Sequence, residues 1–198
     1  MTDDDTLADQ KAAMRAVCHA RRAAIDPQAA AAAAAALARQ VSAQVDITAD
    51  VIVSGYWPLS GELDPRPALD EAAQRGAALV LPRVAGDGRP LIFHRWRAQD
   101  PLIEGRFKVM EPDPAAPVIA PTILLVPLLA FDAACRRLGH GKGYYDRTLA
   151  GLRRDNPGVL AIGVAFAAQQ VDRVPTDVHD QPLDLVITER AVHRPTVA

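Results

Sequence analysis

The densest chemistry in this chain lies in Arg137-Leu138-Gly139-His140-Gly141-Lys142-Gly143-Tyr144-Tyr145-Asp146-Arg147. Glycines alternating with other residues let a backbone take positive φ and approach a ligand closely. Successive N–H groups in such a loop can converge into a nest for an anion. Lys142 adds a mobile positive charge, and Asp146 stands where a metal ion could bridge carboxylate and phosphate. The stretch reads as a nucleotide-phosphate site. It is neither a GxxxxGK[ST] P-loop nor a GxGxxG dinucleotide fingerprint, and alternating glycines alone also describe a plain tight turn.

Other candidates are scattered along the chain. Lys11 and Arg15, four residues apart, share one face of a helix, which suits either phosphates or a solvated basic surface. In Tyr56-Trp57-Pro58-Leu59-Ser60-Gly61-Glu62, Glu62 can accept hydrogen bonds from a heterocycle and Trp57 can cover its face, although Trp57 also suits a core position under the loop. Arg83 is either a surface charge or an anion contact. Asp180, two residues before Pro182, fits a turn or cap as readily as a metal ligand. His140 and His179 are given no catalytic role. No Ser-His-Asp or Cys-His arrangement is evident.

Stepping outward to the elements that must hold these residues, 198 residues suit one domain. Apolar residues at 49% and charged residues at 23% are ordinary for a globular chain. A net charge of −2 argues against nucleic acid or an anionic membrane as a partner. The cysteines, Cys18 and Cys135, make neither a disulfide scaffold nor a CxxC metal site. The acidic start, Met1-Thr2-Asp3-Asp4-Asp5, is unlike a signal peptide, and the alanine run 29–36 is too weakly apolar to span a bilayer. A cytoplasmic location and, by default, a monomer are expected.

Periodicity predicts an amphipathic helix over 6–24, with Leu7, Met14, Val17 and Cys18 on the buried face and the basic residues mostly elsewhere. Asp26-Pro27 starts a second helix that runs to about Val45. A short strand at 51–53 is followed by the 55–64 loop, a helix opening at Asp64-Pro65 and closing at Gly76, and strands at 78–81 and 91–95. Residues 97–121, rich in Pro and Gly, read as mostly irregular. Strands at 122–126, 159–164 and 183–188 and a helix over 143–154 complete the pattern. Alternating strands and helices point to an α/β layer fold with a mostly parallel sheet flanked by helices. The loops 55–64, 82–83, 127–146 and 188–189 each follow a strand, where such folds gather ligands.

Taken together, the Lys11-to-Arg15 segment, Tyr56–Glu62, Leu81-Pro82-Arg83, Val126–Asp132, Arg137–Arg147, Gln169–Val174, Pro175, His179-Asp180 and Leu183–Glu189 resemble the 5-formyltetrahydrofolate cyclo-ligase (5,10-methenyltetrahydrofolate synthetase) family, in order and over nearly the whole chain. The resemblance implies a NagB/RpiA/CoA transferase-like fold, with ATP, Mg²⁺ and a reduced formyl-folate as ligands. Nucleotide contacts then fall on Lys11, Arg15, Arg137, Leu138, Gly139, His140, Gly141, Lys142, Gly143, Tyr144 and Tyr145. Folate contacts fall on Trp57, Glu62 and Tyr144, and magnesium on Asp146 and Asp180. Lys142 and Arg15 are implied to act on the transferring phosphoryl group, and Gln169 and Thr188-Glu189 to organise the pocket or cap local structure. A paralogue acting on another substrate, or a non-catalytic folate or nucleotide binder, would share these features.

Overall fold

The computed structural model describes residues 3–196. In chain order its elements are α1 (Asp3–Ala23), α2 (Pro27–Gln44), β1 (Ile52–Ser54), α3 (Arg66–Gln74), β2 (Ala78–Val84), β3 (Leu91–Arg95), β4 (Leu102–Glu104), β5 (Met110–Pro112), β6 (Ile123–Pro127), β7 (Ala130–Phe131), β8 (Arg137–Leu138), α4 (Tyr144–Asp155), β9 (Leu160–Val164), β10 (Leu185–Ile187) and β11 (Val192–His193). Asp26 caps α2, accepting from the N–H groups of Gln28 at 2.9 Å and Ala29 at 3.1 Å, and Pro27 follows at the first helical position. Gly76, at φ 91°, ends α3 in the left-handed conformation that glycine adopts without penalty.

A seven-stranded sheet has the order β11-β10-β9-β6-β1-β2-β3. Its inner pairs, β10–β9, β9–β6, β6–β1 and β1–β2, are parallel, and the edge pairs β10–β11 and β2–β3 are antiparallel. The strands are apolar on both faces, as a sheet covered on both sides requires. Leu79, Leu81, Ile123, Leu125, Leu185 and Ile187 pack with Leu37, Val41 and Leu69 of α2 and α3. The alternate residues Val80, Leu124, Val126, Ala161 and Val186 pack on the other face with Leu149 of α4 and with Phe131. The expected α/β layering, a mostly parallel sheet flanked by helices, is present.

The chain enters the sheet at β1, moves outward through β2 and β3, then returns to the other side of β1 with β6. The β1/β6 boundary is therefore a topological switch point. There the loops leaving adjacent strand ends diverge and open a crevice.

The structure corrects three local expectations. First, β2 continues through Pro82 and Arg83 to Val84, paired with β3 as Pro82↔Phe93. β1 ends at Ser54↔Val80, so beyond that point β2 has a neighbour on one side only, a setting that tolerates proline. Second, residues 97–121 hold the β4–β5 hairpin, with a 3₁₀ turn over Arg106–Lys108 at its tip. Its three-residue strands are too short for a period-2 pattern to emerge. Third, on α1 Cys18 is buried and Leu7 and Met14 are half-buried as expected, but Val17 is 52% exposed, and the same side of the helix also carries Arg22, buried, and Lys11 and Arg15, half-buried. Lys11 and Arg15 are sheltered there because this part of the helix lines a polar cleft. The apolar part, Cys18 with Met14, packs on the β7–β8 hairpin through Leu129, Ala130 and Leu138.

Candidate functional site

The crevice is a cleft of about 880 Å³, within the size range of ligand pockets. Its walls come from the loop after β1 (Tyr56, Trp57, Leu59, Glu62), the end of β2 (Pro82, Val84), the β4–β5 hairpin (Phe107, Val109, Met110, Glu111), the end of β6 (Pro127), the whole segment 137–147, residues 177–181 and two residues of α1, Lys11 and Arg15. Every predicted nucleotide, folate and metal residue lines this one cavity: Lys11, Arg15, Trp57, Glu62, Arg137, Leu138, Gly139, His140, Gly141, Lys142, Gly143, Tyr144, Tyr145, Asp146 and Asp180.

The glycine loop is built around guanidinium groups. A Cβ on Gly139 would lie 2.7 Å from Nη1 of Arg137, one on Gly141 3.1 Å from Cζ of Arg15, and one on Gly143 2.8 Å from Nη1 of Arg147. Each glycine therefore admits one arginine against the backbone. Gly141 and Gly143 also take positive φ, 92° and 63°. Arg15 donates from Nε to the Gly139 carbonyl at 3.0 Å, tying α1 to the loop, and an Nη2 of Arg147 holds the Lys142 carbonyl. Gly143 is the N-cap of α4 without a side-chain cap, which leaves that helix's first N–H groups facing the loop. The Lys142 ammonium makes no ion pair or hydrogen bond with any described residue and is exposed at the mouth. Loop amides, a helix start and several cations are the kinds of group that can hold an anion.

Arg137 is nearly buried and pairs through Nη2 with Oδ1 of Asp146 at 2.8 Å. Oδ1 also accepts the N–H of Gln181 at 3.2 Å, which brings the Asp180 segment alongside Asp146. Oδ2 of Asp180 accepts from the Lys11 ammonium at 2.6 Å and from the N–H of Asp177 at 2.8 Å. Lys11 reaches Oδ2 of Asp177 at 2.6 Å as well. Burial alone would lower the Lys11 pKa, but the hydrogen bonds and charges of the two aspartates outweigh it and raise the pKa. Lys11, expected on phosphate, here neutralises carboxylates at the cavity wall. Asp146 and Asp180 each use one oxygen in these contacts and keep the other. Two hard carboxylate oxygens beside the glycine loop fit the donor chemistry of Mg²⁺, which takes few protein ligands and fills its shell with phosphate and water. Among the described residues no cluster of three ligating side chains forms a complete cage.

Another part of the wall is the Tyr56–Glu62 loop. Tyr56 is buried and donates to the Leu63 carbonyl at 2.5 Å, and burial pushes its hydroxyl pKa well up. Trp57 reconciles its two readings: it lines the cavity, rests its edge toward Trp96 at 6.3 Å and is covered by the Arg66 guanidinium at 4.7 Å. Glu62, with its side chain 5% exposed, accepts the Leu59 N–H at 2.9 Å, faces Nη1 of Arg22 at 3.5 Å and meets Nε2 of His140 at 3.0 Å. Tyr144 donates to Asp87 at 3.2 Å and stacks obliquely on Phe107 at 6.4 Å.

Some expectations fall outside the cavity. Arg83 pairs with Glu111 at 3.3 Å and anchors the hairpin rather than facing a ligand. Glu189 accepts the Ala167 N–H at 2.8 Å and Thr188 caps the turn into β11, so the 188–189 loop braces structure. Gln169 does the same, donating to the carbonyls of Leu128 at 2.7 Å and Leu129 at 3.1 Å. Conversely, Arg22, Asp177, Arg147 and the hairpin residues Phe107–Glu111 line or brace the cavity without having been singled out. Arg22 was findable: it continues the Lys11, Arg15, Cys18 spacing by one more helical step.

Residues 8–189 match the model of the 5-formyltetrahydrofolate cyclo-ligase family. The 5-formyltetrahydrofolate cyclo-ligase of Escherichia coli K12 is 32% identical over 148 residues, covering 71% of this chain and 79% of that protein. The enzyme of the same name from Mycolicibacterium smegmatis is 32% identical over 146 residues, covering 70% and 73%. An NMR structure of Aquifex aeolicus 5,10-methenyltetrahydrofolate synthetase superposes with a TM-score of 0.77 at 30% identity, covering 93% of this chain and 92% of that one. The fold also matches a Mycoplasma pneumoniae 5,10-methenyltetrahydrofolate synthetase, with a TM-score of 0.72 at 23% identity, covering 90% and 98%. A family model that spans nearly the whole chain and relatives that agree over most of their length lead to one assignment: the chain belongs to the 5-formyltetrahydrofolate cyclo-ligase family.

Proposed function

We propose that this chain converts 5-formyltetrahydrofolate and ATP into 5,10-methenyltetrahydrofolate, ADP and phosphate. The observation that carries the reading is that the glycine loop and the Trp57–Glu62 loop line one cleft and meet at His140 and Glu62. A heterocycle on one wall and a triphosphate on the other would bring a formyl oxygen near a γ-phosphate.

A formamide oxygen is a poor leaving group, so ring closure needs activation. Transfer of the γ-phosphoryl group to the formyl oxygen releases ADP and leaves an imidoyl-phosphate-like carbon. The N10 lone pair attacks that carbon, its proton is lost, the carbon–oxygen bond breaks and phosphate departs. The nucleophiles belong to the substrate, and the protein contributes position and charge. Arg15, Lys142 and the loop amides would offset charge on the transferring phosphoryl group. Glu62 would accept N–H groups of the pterin while Trp57 and Tyr144 flank it. Mg²⁺, held by Asp146 and Asp180, would neutralise phosphate charge when bound.

The reading takes the protein as a cytoplasmic monomer acting on small molecules. Its support is that one chain supplies the whole cleft and that, among the described residues, no helix is long and apolar enough to cross a membrane. The experiment is to follow methenyl-folate absorbance and ADP release from 5-formyltetrahydrofolate with Mg-ATP. Asp146→Asn should lower kcat by at least about 100-fold while the far-UV spectrum is kept. Absence of turnover in the unsubstituted protein, or full turnover in the variant, refutes the catalytic or the metal assignment respectively.

A further inference from the structure

The glycine loop and the Glu62 wall arise from different parts of the chain, 78 residues apart, and touch through His140 and Glu62. The geometry points to His140 as a positioning residue that couples nucleotide binding to folate binding, an inference that rests on the functional reading above.

Glu62 is nearly buried, so each of its oxygens must find a donor. Oε2 has the Leu59 N–H at 2.9 Å. Oε1 has His140 Nε2 at 3.0 Å, while Nη1 of Arg22 lies farther off at 3.5 Å and makes no hydrogen bond at all. His140 is therefore the close partner that fixes this oxygen. Because a carboxylate only accepts, the Nε2 position must carry a proton for the contact to hold. The ring itself is 34% exposed, so core packing does not dictate where it sits. Its place is set by the loop on either side, where Arg15 holds the Gly139 carbonyl at 3.0 Å and Gly141 turns back at φ 92°. On its outer side the His19 ring of α1 stands 5.5 Å away.

The same backbone that would wrap a phosphate thus carries the imidazole that orients the folate carboxylate partner. An anion ordering Gly139–Gly143 would also hold His140 against Glu62. A pterin ordering Glu62 would stabilise His140 and, through it, the loop. Such coupling is reciprocal: each ligand must change the other's affinity by one common factor.

The test is calorimetric titration of the full chain in Mg²⁺ with 5-formyltetrahydrofolate and with the β,γ-imido analogue of ATP, each alone and in the presence of the other. In the unsubstituted protein each ligand should bind at least about fivefold tighter when the other is present. In His140→Ala both ratios should fall toward one. In His140→Gln, whose amide nitrogen can still donate to Glu62, they should largely return, which a role in packing alone would not produce. Equal coupling in His140→Ala, or independent binding of both ligands to the unsubstituted protein, overturns the inference and leaves the functional reading standing. Failure of the unsubstituted protein to bind either ligand removes both.

Discussion

Lys142 and Lys11 sit on the same cavity and differ in what they hold. Lys11 is committed to Asp177 and Asp180, whereas the Lys142 ammonium has no hydrogen-bond or ion-pair partner among the described residues. A side chain with no such partner is not needed by the fold, so any contribution it makes would appear in turnover rather than in stability. Lys142→Ala should therefore lower kcat by about 100- to 1000-fold with little change in thermal stability. Stopped-flow methenyl absorbance alongside a melting curve checks both halves, and an unchanged kcat would leave Lys142 in solvent. The residue types of this loop were legible in the sequence because glycine, lysine and aspartate announce their chemistry. The guanidinium behind each glycine was not, since Arg15 comes from another element and only the packed structure shows that Gly141 makes room for it.

At the scale of elements, the regular helices and the parallel strands could be read because their patterns run long enough to repeat. The β4–β5 hairpin could not, and it supplies part of the cavity wall. It depends on one buried carboxylate: Glu111 accepts the Val84 N–H at 3.1 Å and pairs with Arg83 at 3.3 Å. Gly105 lets that carboxylate lie against the turn, because a Cβ there would overlap the Glu111 carboxyl group. Gly105→Ala should force Glu111 off its partners and displace the hairpin from β2. The expected result is a KM for the folate raised about 10-fold or more, with the global fold kept. Faster amide exchange at 102–112 with unaltered exchange in β6 and β9 would support the local reading, and unchanged exchange throughout would contradict it. Helix α1 was legible only in part: Cys18, Met14 and Leu7 do turn inward, but Val17 does not, and Lys11, Arg15 and Arg22 share the sheltered side. Helical periodicity identifies which residues share a face, and only the partner decides whether that face is oily or charged.

Across the whole molecule, Asp132 joins segments that are distant in the chain. Its side chain is 3% exposed. Oδ1 accepts the N–H groups of Ala134 at 3.0 Å and Arg136 at 3.1 Å, and Oδ2 that of Val174 at 3.0 Å, so it fastens the β7–β8 turn to the segment leading toward Asp177. Asp132→Ala would strand a buried Val174 N–H and should cost about 2–4 kcal/mol. The melting temperature should fall by roughly 5–15 °C, read by calorimetry, and a loss within error would show that water replaces the carboxylate. The same long reach marks α1. Arg15 grips a carbonyl 124 residues later in the chain, and Lys11 grips aspartates 166 and 169 residues later. During synthesis α1 leaves the ribosome well ahead of those partners, by about 10–30 seconds at typical elongation rates. For that interval Lys11 and Arg15 lack the partners that hold them in the folded cleft. Catalytic competence is consequently a late event in the protein's life, and a chain truncated before Asp177 would keep the glycine loop while lacking the carboxylates that seat Lys11.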